Sequence, residues 1–132
     1  MDDRRTLLRT EVGQLRLRES RRRFPTTVCV GVLGGGRRRL SLEEDEAAAV
    51  DTGLRTDLVA RLVEGAPAHW RTAWLERPGG PEPHDADAAW HAAAWRAFGL
   101  HDRALDGFFV LTRSGWADVR SGEHRTWVRL RL

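Results

Sequence analysis

Phe108, Phe109, Val110 and Leu111 form an unbroken apolar run, set between Gly107 and the turn-forming residues Ser114 and Gly115. Successive side chains on a strand point to opposite faces. A strand with this composition is apolar on both faces, so it should be covered on both sides. Two further strand-like runs follow, separated by Ser114-Gly115 and by Ser121-Gly122-Glu123, which are hairpin turn chemistry. The last run, residues 126–132, alternates strictly. Val128, Leu130 and Leu132 are expected on one face, with Trp127, Arg129 and Arg131 on the other.

Upstream, residues 26–33 read as a strand rich in β-branched side chains, with Val28, Val30 and Val32 on one face. Gly31, on the other face, would allow close approach of a neighbour. Gly34-Gly35-Gly36 turns the chain, and residues 37–42 return as the second strand of a hairpin. A glycine triplet after a strand invites a phosphate-loop reading. Both common nucleotide loops require a helix immediately behind the glycines, and the P-loop also requires a Lys. Here Arg37, Arg38 and Arg39 follow, and the chain contains no Lys. The triplet therefore reads as a hairpin turn.

Ser41-Leu-Glu-Glu44 has the pattern of a capping box, and the acids at 43–46 suit the positive end of a helix dipole. Consecutive helical positions point to different faces, so these acids converge poorly on a metal ion. Ala47, Val50, Leu54, Leu58 and Leu62 recur at helical intervals up to a stop at Gly65 and Pro67. Gly53 would kink that helix or split it. Residues 72–77 form a third strand, followed by the rigid Pro-Gly-Gly-Pro-Glu-Pro loop at 78–83. A second helix begins at Asp85 or Asp87 and stops at Gly99, with Trp90, Trp95 and Phe98 as its large packing groups.

The expected fold is α+β, in the order β-β-α-β-α-β-β-β. Its sheet is mainly antiparallel, with two helices packed on one face. Residues 24–132 form that single domain. Residues 1–23 form an Arg-rich N-terminal arm, loosely structured, that could add an edge strand. Leu7, Leu8, Val12 and Leu15 would suit a short amphipathic helix, but Gly13 and the Leu-Arg-Leu-Arg alternation at 15–18 argue against a long one. A chain of 132 residues can bury a core without staples, and its six Trp and four Phe supply much of the bulk.

All 22 basic residues are Arg, which reads first as the coding bias of a high-GC bacterial genome. The charge is unevenly spread. Residues 1–40 hold eleven Arg against four acids, residues 41–106 six against thirteen, and residues 107–132 five against two. Either the basic ends pair with the acidic middle inside the fold, or they form a surface for an anionic partner. The single Cys29 lies in an apolar run and reads as a buried, inert thiol. No run approaches the ~18 apolar residues of a membrane span, and the charged N-terminus lacks a signal-peptide core. The expectation is a cytoplasmic protein with no membrane association.

Three functional classes are weighed on these residues. The first is a non-catalytic interaction or regulatory domain that binds a protein partner or itself, because no nucleophile–base pair, cofactor loop or paired carboxylates can be assembled. No catalytic residue and no cofactor are expected. The second is nucleic-acid binding, with Arg37, Arg38, Arg39, Arg129 and Arg131 on phosphates and Trp127 stacked on a base. The third is a metal-dependent enzyme. His84, Asp87 and His91 come nearest to a ligand set, with Glu76 from the preceding strand, although Asp-to-His at i,i+4 is also an ordinary surface pair.

Overall fold

The computed structural model describes residues 3–128. Its elements run α1 (Asp3–Arg18), β1 (Thr26–Gly31), β2 (Arg37–Leu42), α2 (Glu44–Ala49), α3 (Thr52–Val63), β3 (Thr72–Glu76), α4 (Asp85–Leu100), β4 (Gly107–Leu111), β5 (Gly115–Asp118) and β6 (His124–Thr126). The strands make one six-stranded sheet in the order β2-β1-β3-β4-β5-β6. Four neighbouring pairs are antiparallel, and β3 with β4 is parallel because α4 carries the chain back across the sheet. The α+β class and the mainly antiparallel sheet agree with the sequence.

The layering differs from expectation, since helices cover both faces of the sheet. On one face Val28, Val30, Ala73, Leu75, Phe108 and Val110 pack beneath α3 and α4. On the other, Cys29, Trp74, Phe109, Leu111 and Trp116 pack beneath Leu8, Val12 and Leu15 of α1. The Phe108-to-Leu111 run lies near the middle of the sheet and is fully buried on both sides.

The N-terminal segment expected to be loose is therefore helical through Arg18. Leu8, Val12 and Leu15 recur at helical spacing and cover the apolar face that Trp74 and Phe109 would otherwise expose. Burial of that stripe outweighs the cost of Gly13, which itself lies on the buried side. The Leu-Arg-Leu-Arg alternation has no strand meaning here, and Leu17 is left exposed.

Local chemistry shifts two helix starts. Ser41 belongs to β2, where it faces Thr27 across the ladder, so the cap moves to Glu43. There the Glu43 amide donates to the Glu46 carboxylate at 3.0 Å. The long helix breaks ahead of Gly53, at Val50 and Asp51. The Asp51 carboxylate accepts from the Leu54 amide at 2.8 Å and starts α3 afresh. Gly65, at φ +71, ends that helix. In the first hairpin Val32 and Gly36 pair across the turn, and Gly34 takes φ +76. Gly31 is needed as expected, because a Cβ there would lie 2.2 Å from the Gly36 carbonyl oxygen.

The charge asymmetry is partly internal and partly layered. Arg18 and Arg39 pair with Glu76, and Arg23 lies 4.0 Å from Glu44, so the basic end does meet the acidic middle. The helical layers still differ in sign. α1 carries five Arg against two acids, whereas α2, α3 and α4 together carry three Arg against six acids. Among the described residues no helix is long and apolar enough to cross a membrane.

Candidate functional sites

The Arg37, Arg38 and Arg39 run is divided by strand alternation. Arg37 is held by the Glu11 carboxylate beneath α1 and stacks its guanidinium 4.9 Å from the Trp74 ring centre. Arg38 points to the other face and donates to the carbonyls of Leu62 and Glu64, the negative end of α3. Arg39 returns to the α1 face beside Glu76.

Trp127 sits at the far edge. Since β2 and β6 are the two borders of the sheet, five strand spacings of about 4.8 Å separate Arg39 from it. Its side chain is only half-buried. Trp127 packs on the α1 core, with the Arg9 guanidinium 5.9 Å from the ring centre, and Val128 is the exposed residue at 98%. The physical reason is cover. α1 packs on this edge, so the larger apolar side chain turns toward it. Arg129 and Arg131 lie outside the described residues.

The His84, Asp87 and His91 set is not brought together as ligands. Asp87 is buried, with its two oxygens held by Arg77: Nε donates to Oδ1 and Nη2 to Oδ2, both at 2.8 Å. The same guanidinium donates to the carbonyls of Pro78, Gly80 and Glu82, so its five N–H groups all have acceptors. Asp87 also accepts from the His84 amide at 3.0 Å, as the third residue of a helix whose cap is His84. His91 stacks on Phe108 at 5.4 Å, and burial lowers its pKa, helped by Arg120 and opposed by Asp118. Among the described residues no group of three or more His, Cys, Asp and Glu is placed to hold a metal ion.

A charged pocket that no motif marks lies on the α1 face near the β2 edge. Glu76 is buried there at the end of β3, between two guanidinium groups. Arg18 Nη2 lies 3.0 Å from Oε1, and Arg39 Nη2 lies 3.8 Å from Oε2. The Trp74 indole N–H donates to Oε2 at 3.4 Å. Thr27 and Ser41 share a hydroxyl hydrogen bond of 2.8 Å on the same wall. The pocket encloses about 280 Å³. Cys29 lies beside it, and burial pushes its thiol far up, so the sulfur stays protonated and inert. The one signal in the sequence was an acid at an inward position of an otherwise apolar strand.

The second feature is the outer surface of α4. Ala88, Ala92, Trp95 and Gly99 are spaced by four, three and four residues, which places them on one face, and all four are exposed. Trp95 is 68% exposed. At the Ala88 end the stripe runs into a mainly apolar cleft of about 310 Å³. Pro81, Pro83, Ala117 and Val119 line it, with His84, Asp118 and His124 also on its walls. The Arg77–Asp87 pair fixes one wall by gathering the proline loop against the start of α4.

Comparison of this chain with known protein families, with curated proteins and with solved structures found no match to any of them.

Proposed function

We propose that this chain is a small, non-catalytic cytoplasmic interaction module that binds a protein partner through the outer face of α4. The observation that carries the reading is Trp95, whose indole stands 68% exposed on a helix that buries its other large aromatics. Tryptophan is on average a heavily buried residue, and at interfaces it is among the commonest sources of binding energy. Ala88 and Ala92 keep the helix beside it low, so a partner could approach the backbone closely and continue into the proline-lined cleft. The partner expected has an apolar pocket for the indole and a basic rim, because Asp118 lines the cleft, Asp85 lies one turn before Ala88, and the α2–α4 layer carries six acids against three Arg.

Capture from a lysate of the source cells tests the reading, using the wild-type chain and Ala92→Arg side by side. A protein retained in stoichiometric amount by wild type, lost with Ala92→Arg, and rebinding as a purified component supports it. Equal retention by both chains, or retention that does not survive purification, counts against it. Self-association through the same face would appear as a concentration-dependent mass of the wild type that Ala92→Arg abolishes.

A further inference from the structure

We infer that the pocket around Glu76 is a binding site for a small organic monoanion with a flat apolar body. It lies on the α1 face of the sheet, opposite α4, and so is independent of the proposed docking face.

Charge sets the sign of the ligand. Three guanidinium groups, from Arg18, Arg21 and Arg39, line the pocket against two carboxylates, Glu19 and Glu76. Glu19 is occupied by Arg21 through two side-chain bonds of 2.8 and 2.9 Å. Glu76 alone must then serve both Arg18 and Arg39, which leaves one positive charge uncompensated within the pocket. The Arg39–Glu76 separation of 3.8 Å exceeds hydrogen-bonding range, so Arg39 can turn part of its fork to an incoming oxygen. The buried Glu76 anchors the Arg18 guanidinium at 3.0 Å and keeps Arg39 nearby by charge, which lowers the ordering cost that long Arg side chains would otherwise impose on binding.

The walls set the rest of its chemistry. The Thr27 and Ser41 hydroxyls share one hydrogen bond on the same surface as Arg39, so one of the two keeps its proton to donate to a carboxylate. Phe24, Pro25 and Leu15 supply an apolar wall for a flat body. A volume of about 280 Å³ lies at the small end for ligand pockets, which favours a compact organic acid over a nucleotide.

Benzoate serves as the probe, titrated into the full chain at constant ionic strength and followed by amide NMR shifts. Saturable shifts at Thr27, Arg39 and Ser41 are expected at millimolar benzoate, while Arg61→Gln on the far side of the sheet responds like wild type. Arg39→Gln, and independently Arg18→Gln, should each weaken binding by at least about tenfold, because either change removes the surplus charge. The absence of saturable shifts overturns the proposal, as does an undiminished response in either variant. An equal response to inorganic phosphate, which has no apolar body, also overturns it.

Discussion

Arg77 and Asp87 meet in a two-pronged ion pair, Nε to Oδ1 and Nη2 to Oδ2 at 2.8 Å each, with both side chains buried. The remaining N–H groups of Arg77 hold three carbonyls of the proline loop, so this one contact ties β3, the loop and α4 together. Asp87→Ala would leave a guanidinium buried without its counter-charge, a loss of about 3–5 kcal/mol. Asp87→Asn, which keeps one acceptor, should cost less. Urea unfolding midpoints at unchanged m-value check both, and a loss under about 1 kcal/mol for Asp87→Ala would contradict the assignment.

The Glu11–Arg37 pair predicts an acid limb of the stability curve. Burial opposes ionisation of Glu11, but the Arg37 hydrogen bonds and the Gly34 amide outweigh it and hold the carboxyl below its ordinary 4.5. A folded-state pKa below the unfolded one means that the unfolded chain takes up the proton first. The contribution is therefore complete above pH 4.5 and is lost as pH falls through the lower folded value. The stability difference between wild type and Glu11→Gln should shrink steadily on acidification below that pH, read by denaturant titration at each pH. A difference independent of pH would contradict it.

His91 makes a similar claim in a higher window. Burial against Phe108, then the Arg120 charge, lower its pKa from 6.5, against the pull of Asp118. The neutral ring is favoured in the fold, so its contribution is complete above pH 6.5 and fades as pH falls through the folded value. An NMR titration should place His91 below 6.5 and show it rising in Arg120→Gln and falling in Asp118→Asn.

Two glycines should respond in opposite ways to alanine. A Cβ at Gly115 would stand 2.0 Å from the Arg125 carbonyl oxygen, a backbone atom that cannot yield without moving β6. Gly115→Ala should speed amide exchange at residues 124–127, where Trp127 donates its amide to the Ser114 carbonyl. Gly99, in the last turn of α4, has nothing within 4 Å of such a Cβ. Gly99→Ala should therefore gain up to about 1 kcal/mol from helix propensity.

Much of the sheet was legible because alternation and turn chemistry are local. The glycine triplet gave the first hairpin, and the run from Phe108 to Leu111 required cover on both faces. The elements misread were those decided by distant partners. Leu8, Val12 and Leu15 show helical spacing in the sequence, but that their helix continues past Gly13 to Arg18 depends on packing over Trp74 and Phe109, a pairing no local pattern reveals. Alternation puts Trp127 and Val128 on opposite faces without saying which is covered, and packing on α1 decides that Trp127 is the partly buried one and Val128 the exposed one. Asp87 looked like a metal ligand because its spacing to His91 is visible and its bond to Arg77, ten residues back and across a proline loop, is not. The Glu76 pocket depends on α1 bringing Arg18 to the end of β3, a contact across 58 positions of sequence.

The proposed role of Trp95 as the anchor for a partner is read out by calorimetric titration of the purified partner into the chain. Trp95 is solvent-exposed, so Trp95→Ala should leave the thermal midpoint of the free chain within a few degrees of wild type. The same change should weaken the partner's affinity by roughly thirtyfold or more, the equivalent of at least about 2 kcal/mol at an interface anchor. An affinity for Trp95→Ala within about twofold of wild type would show that the partner binds elsewhere, and would contradict the account.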